Sequence, residues 1–125
     1  MIGSGTNLKS GTVEGDFIAP LYAAVCNDEW GAVRLLLERG ADVNYRGVYG
    51  RTPLHQAAFS GFRRIAELLL DHGADTDAVL QDGSTALFYA AASNNGSVED
   101  LLIARGVTQD SRYQSFKRLL LTLAK

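Results

Sequence analysis

The chain carries two histidines and one cysteine, a small stock of groups for acid–base or nucleophilic chemistry. His55 is the most suggestive of them. It stands in GRTPLHQAAFSG, residues 50–61, two residues after Pro53, and an imidazole titrating near neutrality is the usual general acid or base. Cys26 supplies the single thiol, but the spacing fixes no His, Lys or Arg beside it of the kind that makes a thiolate reactive. Asp42, Asp75 and Asp82 lie in polar turns, where short acidic side chains cap backbone N–H groups more often than they bind metal. One cysteine and two histidines are also too few for a tetrahedral zinc site. No phosphate-binding loop, HExxH or GxSxG motif occurs. The expectation is therefore no catalytic residue, no metal and no cofactor, with an enzyme using His55 or Cys26 as the competing reading.

The composition points the same way. At 125 residues, 46% of them hydrophobic and 21% charged, the chain has the make-up of one soluble globular domain. A net charge of −2 gives no general attraction for nucleic acid or an anionic membrane, and the pairs Arg63-Arg64 and Lys117-Arg118 are too few for a nucleic-acid footprint. No apolar run approaches the roughly 18–20 residues that cross a bilayer. Residues 1–16, MIGSGTNLKSGTVEGD, lack the apolar centre of a secretory signal and read as a flexible arm. A lone cysteine allows no internal disulfide, which suits a reducing, intracellular setting, the cytoplasm with the nucleus as the alternative.

What positions these residues is a repeat. Gly40, Gly73 and Gly106 are each 33 residues apart. Leu35-Leu36-Leu37, Leu68-Leu69-Leu70 and Leu101-Leu102-Ile103 keep that spacing, as do Leu21, Leu54 and Leu87, and Ala24, Ala57 and Ala90. In the second and third units Thr52-Pro53 and Thr85-Ala86 open a short apolar helix, with Thr as N-cap and Pro allowed in the first turn. That helix ends at Gly61, Asn94 or Asp28, residue types that tolerate positive φ. A second helix carries the Leu triplet and stops at the repeated glycine, the αL position after a helix C-terminus. A polar turn then leads to the next unit.

The second unit, GRTPLHQAAFSGFRRIAELLLDHGADTD, resembles the ankyrin repeat, and IAPLYAAVCNDEWGAVRLLLERGADVN and GSTALFYAAASNNGSVEDLLIARGVTQD resemble it more loosely. The resemblance covers about residues 17–112 and implies an all-α repeat solenoid: helix–turn–helix units at about 17–46, 47–79 and 80–112, with β-hairpin turns projecting from the stack. It makes His55 structural, bonded near the Thr hydroxyl and the neighbouring turn, and Tyr22 and Phe88 at the same register position support this. His72, in a last helical turn, is expected to be exposed. Terminal units of a solenoid are atypical because one face meets water. The first unit lacks the capping Thr, with Ala19 in its place. At the other end, 113–125 is expected to form an amphipathic capping helix, with capping-box spacing at Ser111 and Gln114 and an apolar stripe of Tyr113, Phe116, Leu119, Leu120 and Leu123. If Leu121 and its neighbours stay exposed instead, homodimerisation through this helix competes with the monomer.

The resemblance also implies where a partner would be read: on the turn tips and the exposed face of each first helix. By register these are Arg46, Val48, Tyr49 and Arg51, then Gln81, Asp82 and Ser84, with Phe59, Ser60 and Ser93 on the helix faces beside Cys26, Asn27 and Ala92; Tyr45 and Val79 stand at the turn bases. Tyr49 and Phe59 are not required by the fold pattern, and with Arg46 and Arg51 they have the composition of an interface hot spot. Trp30 is expected to cover the N-terminal edge. Ankyrin-turn asparagines can be substrates of an asparaginyl hydroxylase, and Leu36, Asp42 and Asn44 have its spacing, so Asn44 is a possible modification site beside its structural reading. The function expected is a non-catalytic protein–protein interaction module binding a partner protein, with an inhibitor or regulator of a partner enzyme on the same surface as the alternative.

Overall fold

In the computed structural model, which describes residues 13–107 and 110–123, the repeat becomes three antiparallel helix pairs and a closing helix. They are α1 (Val13–Cys26) with α2 (Trp30–Glu38), α3 (Pro53–Ser60) with α4 (Arg63–Asp71), α5 (Ala86–Ala92) with α6 (Gly96–Ala104), and α7 (Ser111–Leu123). α1, α3, α5 and α7 pack side by side in one row, and α2, α4 and α6 form a second row behind them. The architecture is an all-α repeat solenoid.

The repeated positions hold it together. Leu21, Leu54 and Leu87 are buried, as are Ala24, Ala57 and Ala90, small residues that let adjacent first helices approach closely. The Leu triplet shows the direction of stacking. Its first member is exposed at Leu35 but buried at Leu68 and Leu101, whereas its last is buried at Leu37 and exposed at Ile103. The first member therefore faces the preceding unit and the last faces the following one, and each is bare where no neighbouring outer helix stands. Every second helix ends alike. The N–H of Ala41, Ala74 and Val107 reaches back to the carbonyl of Leu36, Leu69 and Leu102, and Gly40, Gly73 and Gly106 bridge the turn at φ 98°, 89° and 91°. This is the Schellman closure, which needs a left-handed residue after the helix. At the ends of the first helices Asp28, Gly61 and Asn94 adopt φ 57°, 78° and 60°, as their types allow.

Five expectations change. Among the described residues there is no strand: the projecting hairpins are tight turns closed by Gly47 N–H to the Arg51 carbonyl (2.7 Å) and Leu80 N–H to the Ser84 carbonyl (2.9 Å). A single backbone bond among the described residues, from Gln81 N–H to the Tyr49 carbonyl (3.0 Å), joins the two turns, too little for a ladder. The second change is at the front, where α1 begins at Val13, inside the segment set apart as an arm. It runs through Pro20, the register of Pro53, because Ala19 offers no hydroxyl to stop a helix there; residues 1–12 of the arm lie outside the described residues.

The closing helix differs in its cap and in its burial. Asp110, not Ser111, is its N-cap: Oδ1 accepts from Tyr113 N–H (3.1 Å) and Oδ2 from the Thr85 hydroxyl. Tyr113 and Phe116 dock, Phe116 edge-on to Phe88 with ring centres 5.5 Å apart and Tyr113 O–H donating to Glu99 (2.6 Å). Leu119, Leu120, Leu121 and Leu123 remain exposed, so the expected single buried stripe covers the stack only along its first half. A helix of 13 residues is about 20 Å long and the 7-residue α5 about 10 Å, so α7 outruns the surface it closes. Trp30 moves too: the Arg34 and Arg64 guanidinium carbons lie 5.7 and 5.0 Å from its ring centre, and Arg64 on α4 draws it towards the second unit.

Candidate protein-binding face

The face is built from the base of α3 upward. Thr52 caps α3, its hydroxyl accepting from His55 N–H (3.3 Å) while His55 Nδ1 accepts from Thr52 N–H (3.1 Å). Nδ1 must be unprotonated to take that bond, so Nε2 carries the hydrogen and donates it to the Ser84 carbonyl (3.3 Å) of the next turn. The ring is buried, and burial pushes its pKa down to about 4, with the bond to Ser84 opposing and Arg46 and Arg51 adding to the fall. A neutral, buried, fully bonded imidazole is a brace between turns. His72 is exposed, with Nδ1 3.0 Å from the Leu68 carbonyl, and Cys26 is an exposed free thiol.

Two turn tips stand above this brace. At the first, Tyr49 has φ 62° and ψ 16°, the left-handed region in which a bulky side chain is uncommon, and Gly50 follows at φ 80°. Its side chain is 64% exposed. At the second, Asp82 Oδ1 accepts from Ser84 N–H (2.9 Å); hydrogen bonding from Ser84, helped by Arg112, holds the carboxyl below its ordinary range. Asp42 and Asp75 make the same turn bond, to Asn44 and Asp77 N–H (both 2.9 Å). Between the tips lies an open cleft of about 260 Å³ lined by Tyr49, Arg51, Leu80, Gln81, Asp82 and Tyr89.

Arg51 and Tyr89 form its floor. The Arg51 guanidinium carbon sits 5.7 Å from the Tyr89 ring centre, and Nη2 donates to the Tyr89 hydroxyl at 3.3 Å. Phe59, 54% exposed, extends the aromatic surface, its ring centre 6.0 Å from that of Tyr89. Tyr89 was not among the residues the sequence pointed to. The signal was present: it precedes Ser93 by one helical turn, the spacing that places two residues on one helix face.

The other expected contacts divide. Gln81 is exposed, as is Arg46, whose guanidinium is tied to the Val79 carbonyl. Ser93 is half-buried, and so is Ser60, whose hydroxyl accepts from Gln56 Nε2 (2.9 Å). The side chain of Val48 lies outside the described residues. Ser84 is a correction: it is 1% exposed, because its carbonyl must meet His55 and its N–H must meet Asp82, so it belongs to the frame rather than the surface. Asn44 is a staple between turns, its Nδ2 donating to the Gly73 carbonyl (3.1 Å) and its Oδ1 accepting from Asp75 N–H (2.6 Å).

A family model described as "Ankyrin repeats (3 copies)" matches residues 2–80 and again residues 21–113. The chain belongs to the ankyrin-repeat family. The two matches end 33 residues apart (113 minus 80), one repeat of the register read from the glycines. Ankyrin repeats are generally protein–protein interaction modules and are typically non-catalytic. No helix of this ankyrin-repeat chain, among the described residues, is long and apolar enough to cross a membrane.

Proposed function

We propose that this chain is a non-catalytic protein-binding module whose partner lies across the turn tips and the exposed faces of the first helices. The observation that carries the reading is the pair of exposed aromatics, Tyr49 at 64% lining the cleft and Phe59 at 54% packed against Tyr89 of its floor. Neither side chain is part of the buried core, and exposed aromatic surface is covered when a partner binds. Arg46, Gln81 and Asp82 supply the polar rim, and Arg51 the charge on the floor, that orient such a partner.

The test is affinity capture from the native host, using wild-type protein and a Tyr49→Ala/Phe59→Ala variant. The expected result is a partner held by the wild type and lost by the variant, with each single truncation costing about 2 kcal/mol, about 30-fold in Kd, and little change in melting temperature. A partner retained by the variant, or a variant that unfolds, overturns the assignment of these two residues. When the captured partner is an enzyme, its activity with and without this chain decides between inhibition and passive docking.

A further inference from the structure

The cleft also holds a charge that no carboxylate among the described residues pairs with. Three arginines close ion pairs: Arg34 with Glu38 (2.9 Å), Arg63 with Glu67 (3.2 Å) and Arg105 with Asp71 (3.1 Å). All three stand on exposed outer surface, where such a pair matters least. Arg51 is half-buried, yet among the described residues no carboxylate comes within ion-pairing distance of it. Its Nε is buried without a hydrogen-bond partner, and its one bond, to the Tyr89 hydroxyl, is long at 3.3 Å. Asp82, on the opposite rim, is fully exposed and engaged with Ser84 and Arg112. Arg46 adds a second cation on the Tyr49 side, oriented but not neutralised by the Val79 carbonyl.

A cation withdrawn from water without an anion is an unfinished interaction. Guanidinium is the side chain best matched to a carboxylate, through paired N–H donors in a fixed fork. The ring of Tyr89 beneath it and that of Tyr49 at the rim lower the local polarity, which strengthens any charge pair formed there. We infer that the partner inserts an Asp or Glu side chain into the cleft between the two turn tips, where its carboxylate pairs with Arg51 while neighbouring apolar residues of the same segment cover Tyr49 and Phe59. The inference rests on the protein-binding reading above and specifies the chemistry of that partner.

A random 12-mer peptide library displayed on phage, with each peptide's C-terminus joined to the coat protein, tests it. Only side-chain carboxylates are then offered. Selection on the wild-type chain is expected to enrich Asp or Glu at one fixed position at least threefold over the unselected library, and selection on Arg51→Gln to lose that enrichment. A winning peptide, synthesised with an amidated C-terminus, is then measured with its acidic residue intact and changed to the corresponding amide, against wild type and Arg51→Gln. Each single change is expected to weaken binding at least 30-fold, and the two together little more than either alone, the non-additivity of groups in contact. The peptide change needs no altered protein, so a poorly folded Arg51→Gln does not blunt the test.

Winners that depend on Tyr49 and Phe59 but carry no enriched acid overturn the inference and leave the protein-binding face standing. So do winners whose acid-to-amide change costs the same on Arg51→Gln as on wild type. Winners indifferent to Tyr49→Ala/Phe59→Ala overturn both, as does a library that yields no binder.

Discussion

The two turn tips share their closing backbone hydrogen bonds and differ in almost everything else, including the left-handed conformation that Tyr49 adopts and Asp82 does not. Gly47 N–H bonds to the Arg51 carbonyl and Gly50 N–H to Gly47; one repeat later Leu80 N–H bonds to Ser84 and Gly83 N–H to Leu80. On that common frame the second tip is self-contained. Asp82 satisfies Ser84 N–H, Ser84 is buried, and Arg112 donates to the Asp82 carbonyl (2.6 Å). The first tip has Tyr49 where Asp82 stands and Arg51 where Ser84 stands. Its aromatic points into solvent from a left-handed backbone, and no carboxylate among the described residues pairs with its cation. The backbone bonds are what the stack requires; the side chains of the first tip are what it does not, so they are the ones open to selection by a partner.

The largest predicted effect lies beneath the tips. Under the second, His55 Nε2 donates to Ser84; under the first, the register equivalent Tyr22 brings its hydroxyl to 3.5 Å from the Thr52 carbonyl. Burial lowers the His55 pKa from 6.5 to about 4, so below pH 6.5 the unfolded chain takes a proton that the folded one refuses. The contribution is complete above pH 6.5 and is lost as pH falls from there to about 4, about 3 kcal/mol in all. Asp82, held low by Ser84, gives up its contribution in a lower window, as pH falls below the ordinary carboxylate range. Urea unfolding at pH 7 and pH 4 should show the loss in wild type and a much smaller one in His55→Gln, whose stability at pH 7 is already reduced. An equal fall in both proteins would mean that His55 does not bear the second tip.

Much of this frame was legible from spacing. A register of 33 residues identifies the buried Leu and Ala rows, the left-handed residues at 28, 61 and 94, and the Asp-capped turns, because each depends on contacts that recur in every unit. Where contacts do not recur, periodicity is silent. Leu119 and Leu120 keep helical spacing with Tyr113 and Phe116, yet the former pair is exposed and the latter half-buried, since burial depends on what lies opposite and α5 is short. Ser84 reads as a tip residue by position and is buried where a bond from His55, 29 residues away, meets the local one to Asp82. Tyr89 becomes part of the face only when Arg51, 38 residues away, is laid across it.

A middle-sized effect is expected at the other end of α3, where the contrast between frame and surface can be sharpened. Gly61 ends that helix at φ 78°, and a Cβ there would lie 2.7 Å from Asn95 Oδ1. Asn95 Nδ2 donates to the Ala58 and Phe59 carbonyls, both at 2.8 Å, tying the third unit to the end of α3. Gly61→Ala therefore strains the backbone and displaces this bridge, and should cost about 2 kcal/mol of stability. Gly61→Asn, a type that adopts the left-handed conformation at position 94, relieves the first cost but not the collision and should recover only part of the loss. Full recovery by Asn in a denaturant titration would show that the Asn95 bridge adds nothing.

The smallest effect on stability is the one that separates the two tips most cleanly, because its sign is reversed. Tyr49 occupies φ 62°, which disfavours an ordinary L-residue by about 1 kcal/mol and is well suited to Asn. Tyr49→Asn gives the first tip the kind of side chain that closes the second, a short polar group able to bond the backbone two residues on. It should raise the melting temperature by about 3 °C while weakening partner binding about 30-fold. The exchange in the other direction, Asp82→Tyr, removes the bond to Ser84 N–H and places a bulky ring on a turn built around a carboxylate, so it should lower the melting temperature. Opposite shifts from the two substitutions would mean that Tyr49 stands at its tip against the preference of its own backbone, as a residue retained for contact does. A lowered melting temperature for Tyr49→Asn would show instead that the ring stabilises the turn it stands on, and the first tip would then be as much frame as the second.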